Sequence, residues 1–130
     1  MSINLILIDY DKLNNNEYTE VNYVNLGAIE ISEYLYETLI KEKVEEIRVW
    51  EETGQYYYQR IIKNDKINQT LEECKKISLR LISNIAKEDI SEKEVDEKLD
   101  ELRTLLEIRN ILRLKKYTYS ECDSVFVIVG

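Results

Sequence analysis

Two helix patterns in the second half of the chain constrain the fold more than any other feature. The first runs from Thr70 to about Ala86 and the second from Glu92 to Lys116, with a short polar break between them. Thr70 is followed three residues later by a glutamate, as is Ser91, and this spacing is the capping-box signature of a helix start. The second pattern is acidic at its beginning and basic at its end, which matches the helix dipole. These residues therefore predict a helical hairpin.

Apolar runs at the two ends of the chain predict strands. Ile3–Ile8 and Ser124–Gly130 are nearly continuous in apolar residues, a pattern typical of short strands that are covered on both faces. Residues 21–26 alternate in part between apolar and polar side chains and stop at Gly27. We therefore expect an additional strand there.

Between these runs, the sequence predicts one further helix and one β-hairpin. Ser32 is a suitable N-cap for a helix that extends to about Glu46. Residues 47–52 and 55–62 are rich in aromatic and β-branched side chains and flank Thr53-Gly54. This pattern indicates a β-hairpin. Threonine is not the usual partner of glycine in a two-residue turn, so a longer loop is the alternative.

The order of these elements predicts a fold class. With one helix set aside, it is the βαββαβ order of the ferredoxin-like fold. We therefore expect residues 1–130 to form a single α+β domain, a length that suits one core. The domain would contain a small, mostly antiparallel sheet with helices on one face and an extra C-terminal helix that completes the helical hairpin.

The composition excludes several classes of catalytic site. The 130-residue chain contains no histidine, and its two cysteines, Cys74 and Cys122, are far apart in sequence. A Ser-His-Asp triad, a Cys-His pair and a histidine-bearing zinc site are therefore excluded. We expect two reduced, partly buried thiols and no cofactor. No apolar run approaches the roughly 18 residues of a membrane span, and no signal-peptide pattern opens the chain, so we expect a cytoplasmic protein without a membrane partner.

The charge distribution leads to the first functional hypothesis. The net charge is −8, and most of it lies in residues 1–60. An acidic surface suits a partner protein with a basic surface. We therefore expect a non-enzymatic protein-interaction module, such as a phage- or mobile-element-type inhibitor or nucleic-acid mimic that acts on a nucleic-acid-processing protein. The candidate interaction residues are Glu42, Glu45, Glu46, Glu51 and Glu52.

Aromatic and basic residues support an alternative, the binding of single-stranded nucleic acid or a nucleotide. Arg48 and Trp50 would lie beside a tyrosine-rich strand, and rings and arginines of this kind stack on bases and bind phosphates. A second group of basic residues recurs at helical spacing and ends at Lys116. Their favourable interaction with the negative end of the helix dipole also explains this pattern. The candidate residues are Tyr56, Tyr58, Arg60, Arg109 and Arg113.

The second long helix presents apolar residues on several faces, more than one neighbour can cover. A surface this wide predicts burial against both the sheet and a second chain. We therefore expect a homodimer. The candidate interface residues are Leu105, Ile108, Ile111, Leu112 and Leu114.

A third hypothesis is a Mg²⁺-dependent nuclease or phosphatase. Asp9 and Asp11 follow an apolar strand, and carboxylates are the ligands that Mg²⁺ prefers. The run from Leu5 to Asp11 resembles the first strand of haloacid-dehalogenase-like phosphatases, of PIN/NYN-type nucleases and of a family of CRISPR-associated nucleases. It departs from the phosphatase pattern at Leu13, where a threonine or valine is expected. The alternative interpretation is that two aspartates end a strand in a polar turn.

Overall fold

A long β-hairpin opens the structure and supplies two strands of a closed barrel. The computed structural model describes residues 3–14, 16–120 and 123–130. Strand β1 (Ile3–Asn14) pairs antiparallel with β2 (Glu17–Ile31), and three register shifts interrupt the pair. Bulges of this kind bend a strand and increase its twist, which helps a small sheet to close.

The remaining strands complete the barrel in chain order. Strand β2 pairs parallel with β3 (Val44–Trp50), and β3 pairs antiparallel with β4 (Tyr56–Ile62). Strand β5 (Ser124–Val129) pairs antiparallel with both β4 and β1, so the order around the barrel is β1-β2-β3-β4-β5. Gly54, with a φ of 88°, lies in the loop between β3 and β4.

A short helical segment connects β2 to β3. It consists of α1 (Glu33–Leu35), a π-helical turn (Tyr36–Ile40) and a 3-10 turn (Lys41–Lys43). Ser32 is its N-cap, as predicted, and accepts a hydrogen bond from the Leu35 N–H at 3.2 Å. The predicted end near Glu46 is wrong, because the chain is already in β3 from Val44 onwards.

Two long helices follow β4 and precede β5 in the chain, and they pack against each other, as predicted. A 3-10 turn (Asn64–Lys66) precedes α2 (Ile67–Ile85), and α3 (Glu92–Arg113) ends in a π-helical turn (Leu114–Thr118). Within the described residues, no helix combines the length and the apolar character needed to cross a membrane.

The two predicted capping residues differ in role. Ser91 caps α3, since its Oγ accepts a hydrogen bond from the Glu94 N–H at 3.2 Å. Thr70 lies inside α2, where its buried Oγ1 donates to the Lys66 carbonyl oxygen at 2.7 Å. Cys74 is a buried free thiol, and Cys122 lies outside the described residues.

The predicted ferredoxin-like βαββαβ order is wrong. Two strands precede the first helix, and the five strands form a closed ring instead of an open sheet. Residues 21–26 are part of the long β2 and not a short extra strand. Most of this stretch is exposed, so its side chains do not alternate clearly between buried and exposed positions. The mixed α+β content is confirmed.

Apolar cores lie on both sides of the barrel wall. The interior receives side chains from all five strands, among them Tyr10, Tyr18, Ile47, Val49, Ile61, Val125 and Val127. The outer core lies between the wall and the helices, and includes Leu5, Leu7, Phe126, Cys74, Leu105, Ile108 and Leu112. Successive residues of β5 face the two cores in turn, which explains its continuous apolar run.

Candidate anion-binding groove

A groove of about 410 Å³ lies between α2 and α3. Its volume falls within the range of small-molecule sites, which is roughly 300–1,000 Å³. The groove has apolar side chains along its length and basic side chains towards the C-terminal end of α3. The lining residues are Leu71, Glu72, Lys75, Ser78, Leu79, Leu106, Arg109, Arg113, Lys116 and Tyr117.

Helix periodicity explains why the basic residues of α3 face the groove. Ile108 and Leu112 are fully buried against the barrel. Each residue of an α-helix is rotated by about 100° from the one before it, so Arg109 and Arg113 point to the side of the buried face. The predicted cationic face of α3 is therefore one wall of the groove.

The groove concentrates positive charge in an acidic protein. Lys75, Arg109, Arg113 and Lys116 line it, and Glu72 is its one acidic lining residue, which gives a local charge of +3. In the part of the chain that the structure describes, none of these four cations forms an ion pair with a carboxylate. The protein contains 26 acidic residues against 18 basic ones. In a protein with this excess of acidic residues, a groove with four such cations is therefore unexpected.

An exposed aromatic ring lies at the cationic end of the groove. Tyr117 is 62% exposed. The Arg113 guanidinium carbon and Lys116 Nζ lie 5.1 Å and 5.3 Å from the centroid of its ring. These distances allow cation–π attraction, which holds both charges beside the ring.

The apolar part of the groove is open to solvent. Leu79 is 56% exposed and Leu106 is 48% exposed. Neither side chain is needed to cover the core, so both are available to a ligand. The groove can therefore bind an anion at one end and a flat or apolar group beside it.

The tyrosine-rich hairpin forms a separate cluster on the outside of the barrel. Arg48 pairs with Tyr58 in register, and Trp50 pairs with Tyr56. The Trp50 and Tyr56 ring centroids are 4.9 Å apart, and the Arg48 guanidinium carbon lies 4.5 Å from the centroid of the Tyr56 ring. The structure thus brings together the aromatic side chains that the sequence placed on one face.

The charge of this aromatic cluster is largely compensated. Glu17 accepts a hydrogen bond from Trp50 Nε1 at 2.8 Å and lies 3.7 Å from the Arg48 guanidinium. Arg60 donates to the Tyr36 hydroxyl at 3.3 Å and to the Gly130 carbonyl oxygen at 3.2 Å, away from the cluster. The structure therefore divides the predicted nucleic-acid residues among three places. Tyr56 and Tyr58 lie in the aromatic cluster, Arg60 lies outside it, and Arg109 and Arg113 line the groove.

The five glutamates of the interaction hypothesis are spread along β3 and its flanks. Glu42 precedes the strand, and Glu45 lies near its start, 3.6 Å from Lys63 Nζ. Glu46 is exposed on β3, opposite Arg60 in register. Glu51 and Glu52 follow the other end of the strand, some 20 Å away at the usual rise per residue.

Most of the predicted dimer residues lie in the core of a single chain. Leu105, Ile108, Ile111 and Leu112 are buried, and Leu114 packs against the same core. The barrel wall covers the apolar surface on which the dimer hypothesis was based. The homodimer itself stays a prediction.

The two aspartates of the metal hypothesis lie within a strand and not beyond its end. β1 continues to Asn14, and a register shift separates Asp9 from Asp11. No group of three or more Cys, Asp or Glu side chains that could hold a metal ion occurs among residues 3–14, 16–120 and 123–130.

Sequence reasoning missed Lys75 and the two exposed leucines of the groove. Lys75 and Leu79 are one helical turn apart on α2, so a helical projection places them on one side of that helix. That this side meets the cationic side of α3 depends on how the helices rotate against the barrel. Comparisons with protein-family models, curated proteins and solved structures found no match.

Proposed function

We propose that the protein binds single-stranded nucleic acid, with phosphates held in the groove between α2 and α3. The observation that carries this proposal is the convergence on an open, partly apolar groove of four cations that form no ion pair with any described carboxylate. Phosphate oxygens are good acceptors for lysine and arginine, and arginine can bind them through two parallel hydrogen bonds. This is the second of the three functions that the sequence suggested.

The dimensions of the groove suit a short stretch of a single strand. Arg109 and Lys116 are seven positions apart, which corresponds to about 10 Å along a helix. A stacked strand rises roughly 3.4 Å per nucleotide, so this wall can contact about three successive phosphates. Lys75 reaches the same groove from α2 and adds a contact from the other side.

The apolar and aromatic lining supplies a place for bases. The side chains of Tyr117, Leu79 and Leu106 are all largely open to solvent, each about half-exposed or somewhat more. Stacking of a base on the Tyr117 ring depends little on base identity, because every base has a flat π-face, and the two leucines offer apolar contact beside it. We therefore expect binding that is salt-dependent and tolerant of sequence.

The net charge of −8 opposes nucleic-acid binding at long range but not in direct contact. Charges more than about 8–10 Å apart are largely screened at moderate salt. A phosphate in the groove is close to four cations and one carboxylate. The local charge therefore determines binding.

The geometry gives less support to the acidic interaction module. Its glutamates do not gather on one surface, and Glu45 already lies near Lys63. The aromatic cluster on the barrel is a weaker phosphate site than the groove, because Glu17 compensates Arg48. Both arguments favour the groove.

Fluorescence anisotropy with a labelled oligothymidine of about 12 nucleotides tests the proposal, since single-strand binders occupy roughly 4–16 nucleotides per site. We expect Arg109→Ala and Arg113→Ala each to weaken binding about tenfold at low salt, the size of one lost charge-assisted hydrogen bond. Oligouridine should bind with similar affinity.

Lys76→Ala is the matched control. Lys76 is exposed and adjacent to Lys75 but does not line the groove. The proposal requires Lys75→Ala to weaken binding and Lys76→Ala to leave it nearly unchanged. Equal losses in both variants, or no binding by the unaltered protein at low salt, would overturn it.

A further inference from the structure

A second cavity lies on the outside of the barrel, next to the aromatic cluster of β3 and β4. It measures about 400 Å³, and every described residue that lines it carries a polar group. The lining consists of two asparagines, three glutamates, two cations and one tyrosine: Asn14, Asn16, Glu17, Glu45, Glu46, Arg48, Lys63 and Tyr58. None of these residues lines the groove between α2 and α3, so this cavity is a separate site.

Both cations of this cavity are paired with carboxylates. The Arg48 guanidinium lies 3.7 Å from the Glu17 carboxylate, and Lys63 Nζ lies 3.6 Å from the Glu45 carboxylate. Glu46 is the third carboxylate of the cavity, and it forms no ion pair with a described residue. The cavity therefore has a small net negative charge, and it does not suit an anion such as a phosphate.

The remaining polar groups of the cavity offer both donors and acceptors. The Asn14 side-chain oxygen accepts from the Asn16 backbone N–H at 3.0 Å, and the Asn16 side-chain oxygen accepts from Lys63 Nζ at 3.2 Å. Both asparagines are exposed, so the amide NH₂ end of each is available to donate, and the exposed Glu46 carboxylate is available to accept. A hydroxyl group both donates and accepts. A ligand rich in hydroxyl groups therefore matches this mixture.

Tyr58 provides a flat apolar surface beside these polar groups. It lines the cavity and is 60% exposed. The ring centroids of Tyr58 and Tyr56 are 5.7 Å apart in an edge-to-face arrangement, which holds the exposed ring in place. The face of an aromatic ring is slightly negative, and the C–H groups of a sugar are slightly positive. The C–H face of a sugar ring can therefore stack on Tyr58 while its hydroxyls reach the polar groups.

The same rings are less suited to an organic cation. The Arg48 guanidinium carbon lies 4.5 Å from the centroid of the Tyr56 ring and 6.0 Å from that of the Tyr58 ring. The protein's own cation therefore already forms the cation–π contacts that these rings offer. A second cation beside Arg48 would be repelled by its charge, whereas a neutral ligand avoids this repulsion.

We propose that this cavity binds a neutral saccharide, with one sugar ring stacked on Tyr58 and its hydroxyls bonded to Asn14, Asn16 and Glu46. A sugar of the glucose type fits best, because its hydroxyls are equatorial and both of its faces carry C–H groups. The proposal does not depend on nucleic-acid binding, since the two sites share no lining residue.

Titration with cellotriose tests the proposal, and the fluorescence of Trp50, the one tryptophan of the chain, is the readout. Trp50 lies in the aromatic cluster, with its ring centroid 4.9 Å from that of Tyr56. We expect saturable binding in the millimolar range. Tyr58→Ala should weaken it about fivefold, the size of one aromatic contact, and Tyr58→Phe should preserve it. Tyr34→Ala is the matched control, because Tyr34 is 58% exposed and lies on α1, outside the cavity.

Two further variants keep the test decisive if Tyr58→Ala fails to fold. Glu46→Ala and Asn16→Ala alter exposed side chains, and each should weaken cellotriose binding about fivefold, the size of one hydrogen bond. Arg113→Ala should leave cellotriose binding unchanged, and Tyr58→Ala should leave oligothymidine binding unchanged. The proposal fails if cellotriose does not bind, or if Tyr34→Ala weakens its binding as much as Tyr58→Ala does. It also fails if trigalacturonate, an anionic saccharide, binds equally well.

Discussion

The guanidinium carbon of Arg113 lies 5.1 Å from the centroid of the Tyr117 ring, across the π-helical turn that ends α3. The ring holds a cation that has no carboxylate partner among the described residues. This pair joins the two chemical features of the groove, a positive charge for phosphate and a flat surface for a base.

Tyr117→Ala should weaken oligothymidine binding about tenfold, within the range measured for loss of one base-stacking side chain. Tyr117→Phe should bind almost as the unaltered protein does, because it keeps the ring and loses only the hydroxyl. Anisotropy at a fixed, low salt concentration gives both values. If phenylalanine weakens binding as much as alanine does, the hydroxyl and not the ring makes the contact.

Glu73→Ala should destabilise the fold more than Lys43→Met. Lys43 is 7% exposed, and its Nζ donates to Glu73 Oε2 and to the Leu39 carbonyl oxygen, each at 2.5 Å. Loss of Glu73 leaves a buried ammonium without its counter-charge, at a cost of about 3 kcal/mol. Lys43→Met removes that charge and keeps the apolar stem, so it should cost about 1 kcal/mol or less.

Urea unfolding of the two variants and of the double variant measures this difference. The double variant should be close to Lys43→Met, because no buried charge remains in either. A larger loss of stability in Lys43→Met than in Glu73→Ala would contradict this account.

The free energy of unfolding should fall as the pH rises above about 10, the ordinary pKa of tyrosine. Burial raises the pKa of Tyr57, and its hydrogen bond to Glu20 at 2.6 Å raises it further. Burial also raises the pKa of Tyr10 and of Tyr18. Because these hydroxyls keep their protons in the folded protein while the unfolded chain loses them, alkaline pH favours unfolding.

Urea unfolding at a series of pH values measures this loss. The loss should be smaller in Tyr57→Phe, which has one fewer tyrosine to ionise on unfolding, even though this variant starts about 1 kcal/mol less stable through its lost hydrogen bond. An unchanged dependence of stability on pH in Tyr57→Phe would contradict a contribution of the Tyr57 hydroxyl to this loss.

Cys74 should react slowly with a thiol reagent in the folded protein. Its side chain is buried, and burial raises the pKa of its thiol to about 12. Very little thiolate, the reactive form, is then present at neutral pH. A Cys122→Ser variant makes Cys74 the sole thiol, so its reaction with Ellman's reagent should be slow in buffer and fast in urea. A fast reaction in buffer would show that α2 opens readily.

Sequence patterns predicted the elements whose burial is uniform and missed those whose burial changes along their length. β5 has a core on each face, so its apolar run identified it as a strand. β2 is exposed over much of its length, and its pairing with β1 depends on register shifts that no local pattern reveals. The spacing of Val44 and Ile47 suits a helix as well as a strand, so the start of β3 was assigned to the preceding helix.

Only the α3 wall of the candidate groove was predictable from the sequence. The spacing of Arg109, Arg113 and Lys116 places them on one side of α3 from sequence alone. Lys75 joins them only because α2 and α3 pack at a particular rotation against the barrel. The rotation of each helix about its axis depends on packing between residues that are distant in sequence, such as Phe126 and the helix residues in the same apolar core.

The most direct test of nucleic-acid binding is the dependence of the association constant K on salt concentration. Each phosphate contact on a single strand contributes about −0.7 to the slope of log K against log salt, so the four cations of the groove predict a slope of about −3. Arg113→Ala should bring the slope to about −2. A slope near zero, or one that Arg113→Ala leaves unchanged, would contradict binding of phosphates in this groove.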